Sequence, residues 1–112
     1  MLYFYNMSRA REEAVFKALA DGRRRRMLDL LKSEPRTTSD LCARFPKLNR
    51  CTVMQHLGVL ERAGLIIVKR EGRLRWNYIN PLPIKAIHDR WISPHARGAV
   101  ELLERMKRDM EG

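Results

Sequence analysis

Two stretches hold the residues best suited to chemistry, Asn49 to Arg62 and Lys69 to Arg75. Placed on a helix capped by Asn49, residues Val53, Leu57 and Leu60 recur at i, i+4 and i+7 and form an apolar stripe. The opposite side then carries Arg50, Cys51, Thr52, Gln55, Gly58 and Arg62, with Met54 and His56 on the flanks. Arginine can grip guanine through two hydrogen bonds and glutamine can do the same for adenine. Threonine meets a phosphate or a thymine methyl. The outward N–H groups of the first helical turn favour a phosphate. Lys69, Arg70, Arg73 and Arg75 add charge suited to the sequence-independent part of duplex binding. Any one of these arginines is better explained by a solvated surface. The weight lies in a polar helix face followed directly by a basic segment, which implies recognition of double-stranded DNA.

Other reactive side chains are sparse. Cys42 and Cys51 fit neither a zinc-finger nor a disulfide-framework spacing. Cys42 follows Leu41 on an apolar face and reads as core. Cys51 is expected to be exposed, and its oxidation would set bulk or charge against phosphates. A small neutral filler is the plainer reading of Cys51. His88 and Asp89 are adjacent and diverge around a helix, and His95 has no His or carboxylate three or four residues on, so no metal set is expected. Catalysis would need a nucleophile with a base and an orienting group, or a metal. No such arrangement is present, and the chain is read as a non-enzyme without a cofactor. Arg23 to Arg26 cover every side of a helix, so at most two of them could face DNA, and the rest are expected to be solvated or paired with Glu12, Glu13 or Asp29.

The elements that position these residues follow from periodicity and punctuation. Ser8 caps a first helix to about Ala20, with Ala10, Ala14, Val15, Ala18 and Leu19 on one stripe. Asp21-Gly22 breaks it, and a second helix runs from about Arg23 to Ser33, burying Met27, Leu28 and Leu31. Pro35 ends it. Thr37 and Asp40 imitate a capping box for a short third helix that turns Leu41, Cys42 and Phe45 inward and stops at Pro46. The fourth helix runs from Asn49 to about Ala63, with Gly64 as its left-handed stop. Leu65 to Val68 and the alternating Leu74, Trp76 and Tyr78 form a hairpin turning at Glu71-Gly72. A last helix covers Ile84 to about Met110, kinked or restarted at Ser93-Pro94. The fold class expected is mainly α with a β-hairpin wing: a winged helix-turn-helix of about five helices in one domain spanning 1–112, with 1–7 irregular.

Three segments carry a family resemblance. Phe16 to Leu31, Leu48 to Leu65, and Arg70 to Tyr78 resemble the opening signature, the recognition helix and the wing of ArsR-type winged-helix repressors. The match spans about Ala14 to Asn80. The resemblance implies a homodimer built through the first and last helices that binds an inverted-repeat operator, represses transcription and regulates its own operon. Val15, Leu19, Trp91, Val100, Leu103 and Met106 are the candidate interface residues. It also implies that Asn49, Arg50, Thr52, Gln55 and His56 meet DNA while the wing arginines hold its backbone. Asn49 stands where Ser is more usual. Gly58 stands where many members carry a basic residue. The Cys-x-Cys of the family's arsenic and cadmium sensors is replaced by Thr37 and Ser39. Two alternatives stay open. One is a metal- or thiol-responsive sensor using Cys51 or His88, Asp89 and His95. The other is a non-specific architectural or protein-binding winged helix.

Composition agrees with a polyanionic partner. The 112 residues include 23 Lys and Arg against 13 Asp and Glu, a net charge of +10, and 45% are apolar. That is apolar enough to fold and basic enough to seek nucleic acid or an acidic membrane. No apolar run approaches the roughly 18 residues that would suggest a bilayer span. The opening Met1 to Met7 is apolar, short and without a basic start, so it is not read as a signal peptide, and Met7 is a second candidate start. A cytosolic location is expected.

Overall fold

The computed structural model describes residues 7–92 and 96–111. The elements run α1 (Arg9–Leu19), α2 (Gly22–Ser33), β1 (Arg36–Thr37), α3 (Thr38–Ala43), α4 (Arg50–Arg62), β2 (Ile66–Glu71), β3 (Leu74–Ile79), α5 (Leu82–Trp91) and α6 (Ala96–Glu111).

Side-chain capping explains why four of the helices begin where they do. Ser8, Asp21, Thr37 and Asn49 each accept a hydrogen bond from a backbone N–H of the first turn of α1, α2, α3 and α4. Asp40 does not complete a capping box with Thr37. Its carboxylate accepts instead from Arg36 at 3.1 Å and Arg44 at 3.2 Å. The end of α4 is a Schellman motif. Leu65 N–H donates to Leu60 C=O and Gly64 N–H to Glu61 C=O, both at 2.9 Å, and Gly64 has φ +79°.

One apolar cluster lies among these elements. Val15 and Ala18 from α1, Met27, Leu28 and Leu31 from α2, Leu41 from α3 and Phe45 beyond it meet Val53, Leu57, Leu60 and Ala63 on α4 and its cap, with Leu65 and Ile66 closing it. Burying side chains of this size is worth about 1.5–3 kcal/mol each. The cluster is complete within a single chain.

The expected hairpin is present and gains a third strand. The order is β1-β3-β2, antiparallel, with Arg36 opposite Asn77 and Thr37 opposite Trp76. Two residues after Pro35 are too short a run to signal a strand by periodicity. In β2 and β3, Glu71 pairs with Leu74, so the tip is Gly72-Arg73, one residue later than the sequence reading placed it. Gly72 has φ +61° and no non-glycine residue described has positive φ, the sign pattern of a type II′ turn.

The C-terminal segment forms two helices, α5 and α6, where the sequence reading placed one stretch kinked or restarted. Pro83 sits in the first turn of α5, where its missing N–H costs nothing. Ile92 leaves the helical region at φ −122°, ψ 77°. Ser93-Pro94, the expected restart, lies outside the described residues. No described helix is long and apolar enough to cross a membrane.

Candidate nucleic-acid interface

Helix α4 stands on Val53, Leu57 and Leu60, each fully buried, and this fixes what it shows outward. Arg50, Cys51, Gln55 and Arg62 are exposed, and Thr52 and Gly58 are partly so. Asn49 is exposed too, and its Oδ1 accepts from Thr52 N–H at 2.8 Å, so its amide N–H2 is the group that could donate to a ligand.

His56 is a correction. It is only 7% exposed, on the core side of the helix, three residues after Val53. Arg24 Nη1 donates to its Nδ1 at 3.2 Å, which places the imidazole proton on Nε2. Burial and the neighbouring Arg23 and Arg24 lower its pKa, with Asp21 opposing them. A ring held there cannot reach a base edge.

Arg24 itself is the residue that sequence reasoning missed. Its Nε donates to Ala18 C=O at 2.7 Å and its Nη2 to Lys17 C=O at 3.0 Å. One guanidinium therefore joins the C-terminal carbonyls of α1 to the recognition helix. Arg25 adds a bond to Leu19 C=O at 2.6 Å. This run was expected to be solvated or paired with Glu12, Glu13 or Asp29, whereas Arg24, though 3.9 Å from Asp21, makes its hydrogen bonds, like Arg25, to carbonyls of the last turn of α1. Arg23 does find an acid, Asp21, at 3.2 Å, and that contact holds the Asp21 carboxyl far below its usual range.

The wing residues divide. Lys69, Arg70 and Arg73 are exposed, Arg73 at the very tip, and Lys69 lies 3.5 Å from Glu71. Arg75 is drawn to the body: its Nη2 lies 3.3 Å from Glu61 of α4. Arg70 and Arg75 sit directly opposite on adjacent strands, a like-charge pairing that disfavours the hairpin. Glu61 compensates one of the two, leaving Arg70 available for an anion. The wing's base is held by Asn77, fully buried, whose Nδ2 donates to Thr38 Oγ1 at 3.1 Å and Arg36 C=O at 3.2 Å. Without knowledge of β1, nothing marks Asn77 as more than one polar residue in an alternating strand.

The apolar candidates for self-association also divide. Val15 is a correction: at 0% exposure it belongs to the chain's own core, because the α1 stripe that contains it packs inward. Leu19 is partly buried against that core. Trp91, Val100, Leu103 and Met106 are exposed at 58%, 41%, 64% and 50%. On α1 the outward residue is Phe16, whose ring lies 6.0 Å from that of Trp91.

Cys51 is exposed among the polar residues of α4, and Cys42 is partly buried against the core. Asp89 pairs with Lys85 at 2.7 Å and lies 3.5 Å from His88. His95 lies outside the described residues. Among the described residues, no three His, Cys, Asp or Glu side chains converge on a common point.

A buried-footed helix with a polar outer face, braced by α3 and followed by a basic hairpin, is the architecture of winged helix-turn-helix DNA-binding regulators. The comparisons agree. Residues 19–69 match the helix-turn-helix domain family. The HTH-type transcriptional regulator YuzN of Bacillus subtilis is 37% identical over 87 residues, covering 72% of this chain and 95% of that one. The transcriptional repressor SdpR of the same organism is 35% identical over 66 residues, covering 59% and 72%. The crystal structure of the ArsR family transcriptional regulator RHA00566 superposes with a TM-score of 0.70 at 30% identity, covering 89% of this chain and 97% of that one. This chain belongs to the ArsR family of winged helix-turn-helix transcriptional regulators.

Proposed function

We propose that this regulator is a homodimeric repressor that reads an inverted-repeat operator by laying α4 in the major groove. The observation that carries the reading is the outer face of α4. Gln55, able to pair with a base edge, is exposed opposite the buried Val53, Leu57 and Leu60, and Arg50, a second such side chain, is exposed at the first turn of the same helix. The wing supports it by presenting Lys69, Arg70 and Arg73 to the backbone. Arg75 steadies the wing through Glu61.

Self-association is supported by α6. Val100, Leu103, Met106 and Met110 recur at helical spacing and are exposed, an apolar stripe that a charged surface helix would not otherwise retain. Two-fold pairing would set two recognition helices about one DNA turn apart and require an inverted repeat. The name of SdpR supports repression as the outcome. Control of the chain's own operon and a cytoplasmic site of action follow from the same reading.

The test is selection of bound sequences from a random duplex pool at moderate salt, with and without a chelator. An inverted repeat recovered in both arms is expected. Tight, salt-sensitive binding with no enriched sequence would refute a sequence-specific repressor.

A further inference from the structure

A second basic surface lies on the far side of α4 from the wing. At 100° per residue, His56 and Glu61 stand roughly 140° apart around α4. Arg75 of the wing ties to Glu61, and Arg24 at the start of α2 ties to His56. The exposed Cys51, Gln55 and Arg62 occupy the wider arc between those two anchors. The recognition face is thus flanked by the wing on one side and by the start of α2 on the other.

Between the start of α2 and the turn that leads into Asn49 lies an open cleft of about 860 Å³. Its charged lining residues are Arg23, Arg26, Arg44 and Lys47 against the single acid Asp21. Two of the four cations are already used, Arg23 by Asp21 and Arg44 by Asp40, each at 3.2 Å. The other two are free: among the described residues, neither Arg26 nor Lys47 has a carboxylate within 4.0 Å. Arg26 is also held in place, its guanidinium 5.1 Å from the centroid of the Phe45 ring. Stacking leaves the N–H edge of a guanidinium open, the edge that grips a phosphate through two bonds. Lys47 is exposed in the turn, two residues before the cap of the recognition helix.

We propose that this cleft is a second backbone clamp, in which Arg26 and Lys47 hold phosphates of the DNA strand on the side of α4 away from the wing. The inference rests on α4 entering DNA. Charge complementarity selects the sugar–phosphate backbone as the occupant, since four cations line the open cleft against one acid. The clamp and the wing then hold the two edges of the groove that α4 enters and fix its register from both sides, without reading sequence.

The test uses the full chain and its selected duplex, with binding measured from low to high salt. Each phosphate contact contributes about 0.9 to the slope of log affinity against log salt. The double variant Arg26→Ala, Lys47→Ala removes two cations from each protomer of the dimer and is expected to lower the slope by about 2–4, with the preferred sequence unchanged. Replacing flanking phosphates one at a time with neutral methylphosphonates should locate the contact. The sensitive position should weaken binding of the parent chain severalfold and leave the double variant unaffected. Arg73→Ala serves as the wing control. A lowered slope for Arg73→Ala with an unchanged slope for the double variant would overturn the clamp and leave the DNA reading standing. No salt-dependent duplex binding by the parent chain would overturn both.

Discussion

Replacing Arg24 tests how the recognition helix is held. Its side chain is 16% exposed and makes three hydrogen bonds, to Ala18 C=O, Lys17 C=O and His56 Nδ1. Hydrogen bonds from a charged donor are worth about 1.5–3 kcal/mol each when buried. The bond to Lys17 is exposed, so water replaces it at little cost. The two part-buried bonds, taken at the lower bound, give a loss of about 3 kcal/mol for Arg24→Ala. The variant also leaves His56 without its described partner, in a place where burial resists a charged ring. Arg24→Lys keeps the charge but loses the fork that reaches three acceptors at once, and should recover less than half of the loss. Arg25→Ala, which removes one exposed bond, should cost under about 1 kcal/mol. The assay is urea denaturation at fixed protein concentration. With a slope of about 1.5 kcal/mol/M, Arg24→Ala should lower the midpoint by about 2 M. A midpoint within about 0.3 M of the parent would refute the view that this guanidinium joins α1 to α4.

The remaining predictions concern the face, the apolar stripe, the helix stop and pH. Gln55→Ala should relax base preference at one position of each half-site, costing about 1–3 kcal/mol, whereas Arg73→Ala should weaken all duplexes alike. Equal losses on every sequence for both variants, measured by fluorescence anisotropy, would contradict those roles. Leu103→Asp should yield a folded monomer, since the side chain is 64% exposed and outside the core. Sedimentation that still shows a dimer would remove α6 from the interface. Gly64→Ala forces a Cβ into left-handed backbone at φ +79° and against Arg11 Nη2, 2.6 Å away. The arginine tip can swing aside, so the cost should be the conformational one, about 1–2 kcal/mol in thermal unfolding. The native state holds His56 below its ordinary 6.5, so the unfolded chain binds more protons as pH falls through that value. Stability is therefore full above about pH 6.5 and declines on acidification. His56→Gln should flatten the decline that begins below about pH 6.5. A second fall, below about pH 4 as Asp21 and Asp40 protonate, should remain.

Local features determined much of this molecule in advance. Ser8, Asp21, Thr37 and Asn49 announce helix starts because each supplies an oxygen to a backbone N–H within three residues. Gly64 announces a stop because only glycine adopts positive φ without strain. The spacing of Val53, Leu57 and Leu60 fixes which side of α4 is buried, and so leaves Cys51, Gln55 and Arg62 outside, whereas Arg50 is exposed as the first residue of the helix. Those signals need only the chemistry of neighbouring residues, and with the order of elements they suffice for the winged helix.

Tertiary structure decided what depends on residues far apart in the chain. His56 could have faced either way from the flank of the stripe. Arg24, 32 positions earlier, turns it into a buried acceptor. Arg75 looked equivalent to Arg73 until Glu61 claimed it. Val15 was a plausible interface residue until α2 and α4 covered it. Arg36-Thr37 became a strand only because Asn77 and Trp76 lie beside it. Helical and strand periods report which face of an element is apolar. They do not report which neighbour that face will meet, and a polar group's role is set by that neighbour's charge and distance.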